Sequence, residues 1–221
     1  MGGMKILKVP YTLGEEIAHA ITHGLGALLG IAGLAVLMVA AATRGTGAWQ
    51  VVPCAIYGAM LILMFTVSTL YHSLPQPRVK KIFRVLDHQM IFLMIAGSYT
   101  PFVLITLRGA LGWSLFGVVW GIAALGLVFK AFFTGRFGKI TTGLYLLMGW
   151  IIVFALKPLL AGMSAGGVRW LVAGGLCYTL GAVVYLFKRV RYHHAVWHLL
   201  VLGGSICHYF AILWHVLPPR A

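Results

Sequence analysis

The side chains best suited to chemistry in this 221-residue sequence are histidines, and their spacing says what that chemistry would be. His194-Ala-Val-Trp-His198 sets two imidazoles one helical turn apart, about 6 Å between Cβ atoms. At that distance both can point at one metal ion, as in helical zinc motifs. Ser68-Thr-Leu-Tyr-His72 aligns a hydroxyl with a third imidazole in the same way. Three nitrogen ligands leave a fourth position for water, the pattern of a catalytic zinc site rather than a closed structural one. Asp87 is the only acid after residue 16. It is suited to hydrogen-bond such a water or to orient an imidazole. Glu16, His19 and His23 form an i, i+3, i+7 stripe, which packing and first-turn electrostatics explain as readily as a share in the site. His208 lies ten residues past His198, about 15 Å further along a helix and off the HxxxH face, so it reads as a packing residue. His193 and His215 are not expected to be ligands.

The elements that must carry these residues follow from composition. Apolar residues make up 61% of the chain and charged residues 9%, and the mean hydropathy is +0.97. A soluble domain carries about 25% charge, and disorder needs low hydrophobicity, so both classes are excluded. The chain reads as an all-α, polytopic membrane protein. A helix needs about 20 mostly apolar residues to cross the hydrocarbon core. Seven stretches qualify, roughly 20–42, 50–72, 86–106, 112–133, 141–160, 168–187 and 195–216. Their linkers are too short to fold alone, so residues 1–221 form a single domain. No signal peptide is expected, because the first apolar run starts late and is long enough to span. Cys54, Cys177 and Cys207 all fall in apolar segments without a disulfide or zinc-knuckle spacing. Gly26-x-x-x-Gly30 and Gly117-x-x-x-Gly121 suit close helix packing.

Charge sets the orientation. The net charge is +14, but the cations sit in short clusters between apolar runs and no soluble face exists for nucleic acid. With seven spans, one side holds Lys5, Lys8, Arg78, Lys80, Lys81, Arg84, Lys130, Arg136, Lys139, Lys188, Arg189 and Arg191. The other side holds Arg44, Arg108, Lys157, Arg169 and Arg220. The positive-inside rule then puts the N-terminus in the cytoplasm and the C-terminus outside. It also brings the polar residues to one level. Glu16, His19, His23, Ser68, His72, Asp87, His88, His194 and His198 all stand at cytoplasmic ends of spans, where ionisable groups are functional-site hypotheses.

Taken together, these residues resemble the bacterial hemolysin III family, part of the progestin and adiponectin receptor superfamily. The matching segments are Glu16 to His23-Gly24, Ser68-Thr-Leu-Tyr-His72, Leu86-Asp87-His88, Ala96-Gly-Ser-Tyr-Thr-Pro101, His194-Ala-Val-Trp-His198 and Gly204-Ser-Ile-Cys-His208. The resemblance covers nearly the whole chain. It implies a seven-helix fold of the cell (inner) membrane with a zinc ion near the cytoplasmic face. By motif position the ligands fall on His72, His194 and His198, with Ser68 and Asp87 around the metal-bound water. His19 is a departure, since many relatives carry Asn there.

Three functions of different class follow. As an enzyme, the protein would hydrolyse an amide or ester of a membrane lipid, ceramidase-like, with Asp87 as general base or water-orienting group and Ser68 positioning water or an oxyanion. As a non-enzymatic component, it would sense or adjust bilayer state, with zinc pinning helices together. As a cytolysin, it would form a pore in a foreign membrane, which seven stable spans without a secretion signal oppose. Membrane lipids are the expected partners in each case.

Overall fold

In hydrocarbon, backbone amides have no water to bond, so each spanning segment must satisfy its own. The computed structural model describes residues 11–45, 47–187 and 190–217. Among them there are helices and turns and no strand. Seven helical stretches are long and apolar enough to cross a membrane: Leu13–Arg44, Ala48–Ser73, Pro77–Leu107, Gly109–Phe133, Gly138–Gly162, Ala165–Leu186 and His193–Val216. They comprise α1 (Leu13–Arg44), α2 (Ala48–Ser73), α3 (Pro77–Pro101), α4 (Gly109–Phe133), α5 (Gly138–Trp150), α6 (Leu156–Gly162), α7 (Ala165–Leu186) and α8 (His193–Ala211). Of the charged residues used to orient the chain, Lys5, Lys8, Lys188, Arg189 and Arg220 lie outside the described residues.

Two spans begin earlier than hydropathy suggests. Helix α1 starts at Leu13 rather than near residue 20, because Thr12 and Glu15 form a reciprocal capping box that satisfies two orphan amides. Its 32 residues make it about 48 Å long, well beyond a hydrocarbon core of about 30 Å. Glu16 and His19 are therefore inside a helix. Helix α3 starts at Pro77, whose fixed φ suits the first helical turn, so Arg84 and Asp87 also stand within it. The fifth span is no single α-helix. A 3₁₀ segment, Ile151–Ala155, separates α5 from α6.

The core joins α1, α2, the end of the third span, α6 and α8 through Leu37, Tyr57, Phe65, Phe102, Leu159 and Leu202. Gly26 is one place where α1 and α2 pack closely: a Cβ there would stand 2.7 Å from the Phe65 ring. Gly117 and Gly121 do not share this role. A Cβ on either would meet nothing within 4 Å, since that face of α4 turns outward, and glycine spacing alone does not supply a partner helix. The outer surface is apolar, with Leu125 73% and Phe154 89% exposed. Exposed side chains of this kind are at home against lipid tails, and the protein is a multi-pass membrane protein.

Candidate metal centre and its cavity

The start of α1, the end of α2 and the start of α8 meet at one end of the bundle, and the histidines meet there with them. His19, His72 and His194 are buried and offer ligand atoms within 4.8 Å of one another. His198 stands beside them, its ring 4.7 Å from that of His194 and 5.2 Å from that of His72. His23 stacks on His198 at 3.5 Å with the planes 9° apart. The trio expected from motif position, His72, His194 and His198, thus shares two members with the trio that is closest in space, and His19 joins them.

Hydrogen bonds fix which nitrogen each ring turns inward. His72 Nδ1–H donates to Glu16 Oε2 at 2.6 Å, since a carboxylate only accepts. Glu16 Oε1 lies 2.9 Å from Lys80 Nζ. His198 Nδ1–H donates to the His19 carbonyl at 3.2 Å. Thr22 Oγ1, whose hydrogen goes to the carbonyls of Ala18 and His19, accepts from the same Nδ1. The Tyr11 hydroxyl occupies His194 Nδ1 at 3.1 Å. Tyr11 lies just ahead of α1, and burial raises its phenol above the ordinary value, so it stays a hydroxyl. In all three rings Nδ1 is taken, and Nε2 is buried without a partner among the described residues. Both nitrogens of His19 and both of His23 are likewise buried and unpartnered among those residues.

An unpaired buried polar group costs about 1–3 kcal/mol, so this many in one cluster calls for something that takes lone pairs. A metal ion does. Carboxylate or carbonyl bonds at the far nitrogen are how ligating imidazoles are oriented, and the residues present fit such an ion.

Ser68 stands one turn before His72. It is buried, and its hydroxyl has no partner among the described residues, whereas neighbouring Thr69 bonds back to Phe65. Asp87 is buried too, but its ionic neighbour is His88, 3.6 Å away, and not the cluster. It faces a cavity of about 440 Å³ whose wall includes His194. The polar end of that cavity is lined by Arg84, Asp87, His88, Lys130 and Tyr185, and the rest is largely apolar, with Phe102, Leu159 and Leu171. His208 lines the deep end, where its Nε2 donates to the Leu171 carbonyl at 3.3 Å. His193 bonds to the Val190 carbonyl and His215 to Ser164.

Helix α8 is set in place by its N-terminal turn. Tyr192 is left-handed, with φ 58°, which costs about 1–2 kcal/mol in a non-glycine residue. Its amide bonds to Glu15 Oε1 across the chain, tying the start of α8 to the cap of α1. Sequence reasoning missed Tyr11, Thr22 and this tie. Only the Thr12-x-x-Glu15 signature beside them was there to find.

A family model described as haemolysin-III related matches residues 11–209. The chain is 46% identical to a protein named Hemolysin-3 from Bacillus cereus, over 97% of each sequence. It is 44% identical to a Hemolysin-3 homolog of Bacillus subtilis, over 93% of this chain and 96% of that one. More distantly, it is 28% identical to the human monocyte to macrophage differentiation factor, over 92% of this chain and 84% of that protein. With its buried histidine cluster and seven apolar spans, the chain belongs to the hemolysin III family, within the progestin and adiponectin receptor superfamily.

Proposed function

We propose that the protein is a zinc-dependent hydrolase of a membrane lipid amide or ester, with the site at the cytoplasmic face. The observation that carries this reading is the cluster of partnerless imidazole nitrogens beside a largely apolar cavity. His72, His194 and His198 would hold the ion, each presenting Nε2 because its Nδ1 is occupied. When bound, zinc supplies Lewis acidity and lowers the pKa of water to about 7. Glu16 holds the His72 ring and its tautomer. Asp87 faces the cavity where a lipid carbonyl would enter, and takes a proton there. Ser68 offers an uncommitted hydroxyl beside His72.

A second reading has its own support. His19 lies within ligand reach, and neither of its nitrogens has a partner among the described residues. Four nitrogen ligands make a closed structural site, which would tie α1, α2 and α8 together without turnover.

The two separate by metal content and lipid turnover. Purified protein should carry about one zinc per chain, lost in His198→Ala and kept in His19→Asn. Asp87→Asn should keep zinc, while lipid turnover followed by mass spectrometry drops by roughly 10²–10⁴-fold, the range for losing a general base. Loss of zinc in His19→Asn, together with no turnover by the wild type, would establish the structural reading instead.

A further inference from the structure

The cavity's polar end carries a charge imbalance that neither the metal nor the fold requires. Lys130, Arg84, Arg136 and Lys139 line it, against the single carboxylate of Asp87. The other two acids of the chain are used elsewhere, Glu15 in the helix cap and Glu16 on His72 and Lys80. Among the described residues none of the four cations has a carboxylate within 4.0 Å. Cytoplasmic loop charge accounts for Arg136 and Lys139, which are exposed. It does not account for Lys130. A lysine near the end of a spanning helix ordinarily extends its ammonium to water. Lys130 is instead 1% exposed, with Nζ 3.0 Å from Thr141 Oγ1 in the cavity wall. Arg84 is partly buried as well. Its guanidinium lies against the α4–α5 turn, where a Cβ on Gly135 would stand 3.0 Å from Nη2.

A buried ammonium with one neutral partner is costly unless an anion completes it. The rest of the cavity is largely apolar, and its volume of about 440 Å³ falls in the range of small-molecule sites. We propose that this cavity binds an amphiphile whose phosphate-type anionic head sits between Lys130 and Arg84 and whose apolar tail runs toward His208. The inference rests on the lipid reading above for the tail and adds the class of head group: the preferred lipid is an anionic phospholipid rather than a neutral one. Phosphate suits the pair because Arg84 can grip two oxygens at once and Lys130 supplies a point charge.

The test is binding to the purified full-length protein in neutral detergent, with three probes. These are lysophosphatidic acid, a monoacylglycerol of the same chain, and inorganic phosphate. The phosphate lipid should bind at least tenfold more tightly than the monoacylglycerol. Lys130→Met and Arg84→Gln should each weaken it by about tenfold or more, as expected for a lost charge-assisted hydrogen bond, and Lys130→Arg should retain most of it. Should Lys130→Met fail to fold, Arg84→Gln decides alone, since Arg84 is only half-buried. Inorganic phosphate should displace the lipid only weakly. Equal affinity for the monoacylglycerol would overturn the head-group assignment, and phosphate binding as tightly as the lipid would overturn the lipid as occupant. If no lipid is turned over yet the tenfold preference holds, the hydrolase reading fails and this one stands. Turnover of a neutral lipid without the preference gives the reverse.

Discussion

At the scale of single residues, the ordering of nitrogens does most to define the site. Glu16 is the clearest case, because its carboxylate holds His72 Nδ1–H and so turns Nε2 inward. Glu16→Gln keeps the shape and removes the charge. Removing such an outer partner typically costs 10–100-fold in metal affinity, and that loss is expected here in competition with a chelator of known zinc affinity. The HxxxH and SxxxH patterns were legible in the sequence because one-turn spacing is a local property of any helix. The hydrogen bonds that choose the nitrogens were not. Tyr11, Thr22 and the His19 carbonyl reach their histidines only through the approach of α1 to α8, across some 180 residues of sequence. Lys130 was hidden for a different reason. As a charge near a helix end it reads as a solvated loop residue, and only the fold shows it enclosed.

At the scale of elements, the α1–α2 contact sets how closely the histidines of the two helices stand. Phe65 lies against both Gly26 and the ring of His23. Gly26→Leu should force α1 and α2 apart and destabilise the protein by about 1–3 kcal/mol, the usual range for overpacking. Gly117→Ala, on an open face, should be neutral or stabilising by up to about 1 kcal/mol through helix propensity. Thermal melts of the two variants in one detergent check the contrast. Seven spans could be read from hydropathy because an uninterrupted apolar run of membrane length would be insoluble anywhere but in a bilayer. The early start of α1 was also encoded, in Thr12-x-x-Glu15, but in polar residues that a hydropathy window averages away. The break inside the fifth span was marked too, by Pro158, which offers no amide to the carbonyl of Phe154, but a hydropathy window averages a single proline away.

At the scale of the whole molecule, the distribution of positive charge predicts which way the bundle stands. The Pro75–Arg84 segment and the α4–α5 turn share an end with the histidine cluster, and that end is rich in Lys and Arg. Reporter fusions in the Pro75–Arg84 segment should be active in the cytoplasm, and fusions after Ala221 outside it. A cytoplasmic reporter after Ala221 would reverse the proposed orientation and move the histidine cluster to the opposite leaflet.

The interrupted fifth span gives the two halves of the site different mechanical characters. The histidine cluster is built on α1, α2 and α8, cross-braced by Glu16–His72 and Tyr11–His194. The cavity's outer wall is α5 and α6, two short helices joined by a 3₁₀ stretch whose geometry is poorer than that of an α-helix. Phe154 in that stretch points almost wholly outward, and Trp150 holds the wall to α7 through Thr179. A wall of that construction yields before the histidine cluster does. Tail length should therefore be tolerated where head chemistry is not, and lipids differing by a few carbons should compete for one seat on nearly equal terms.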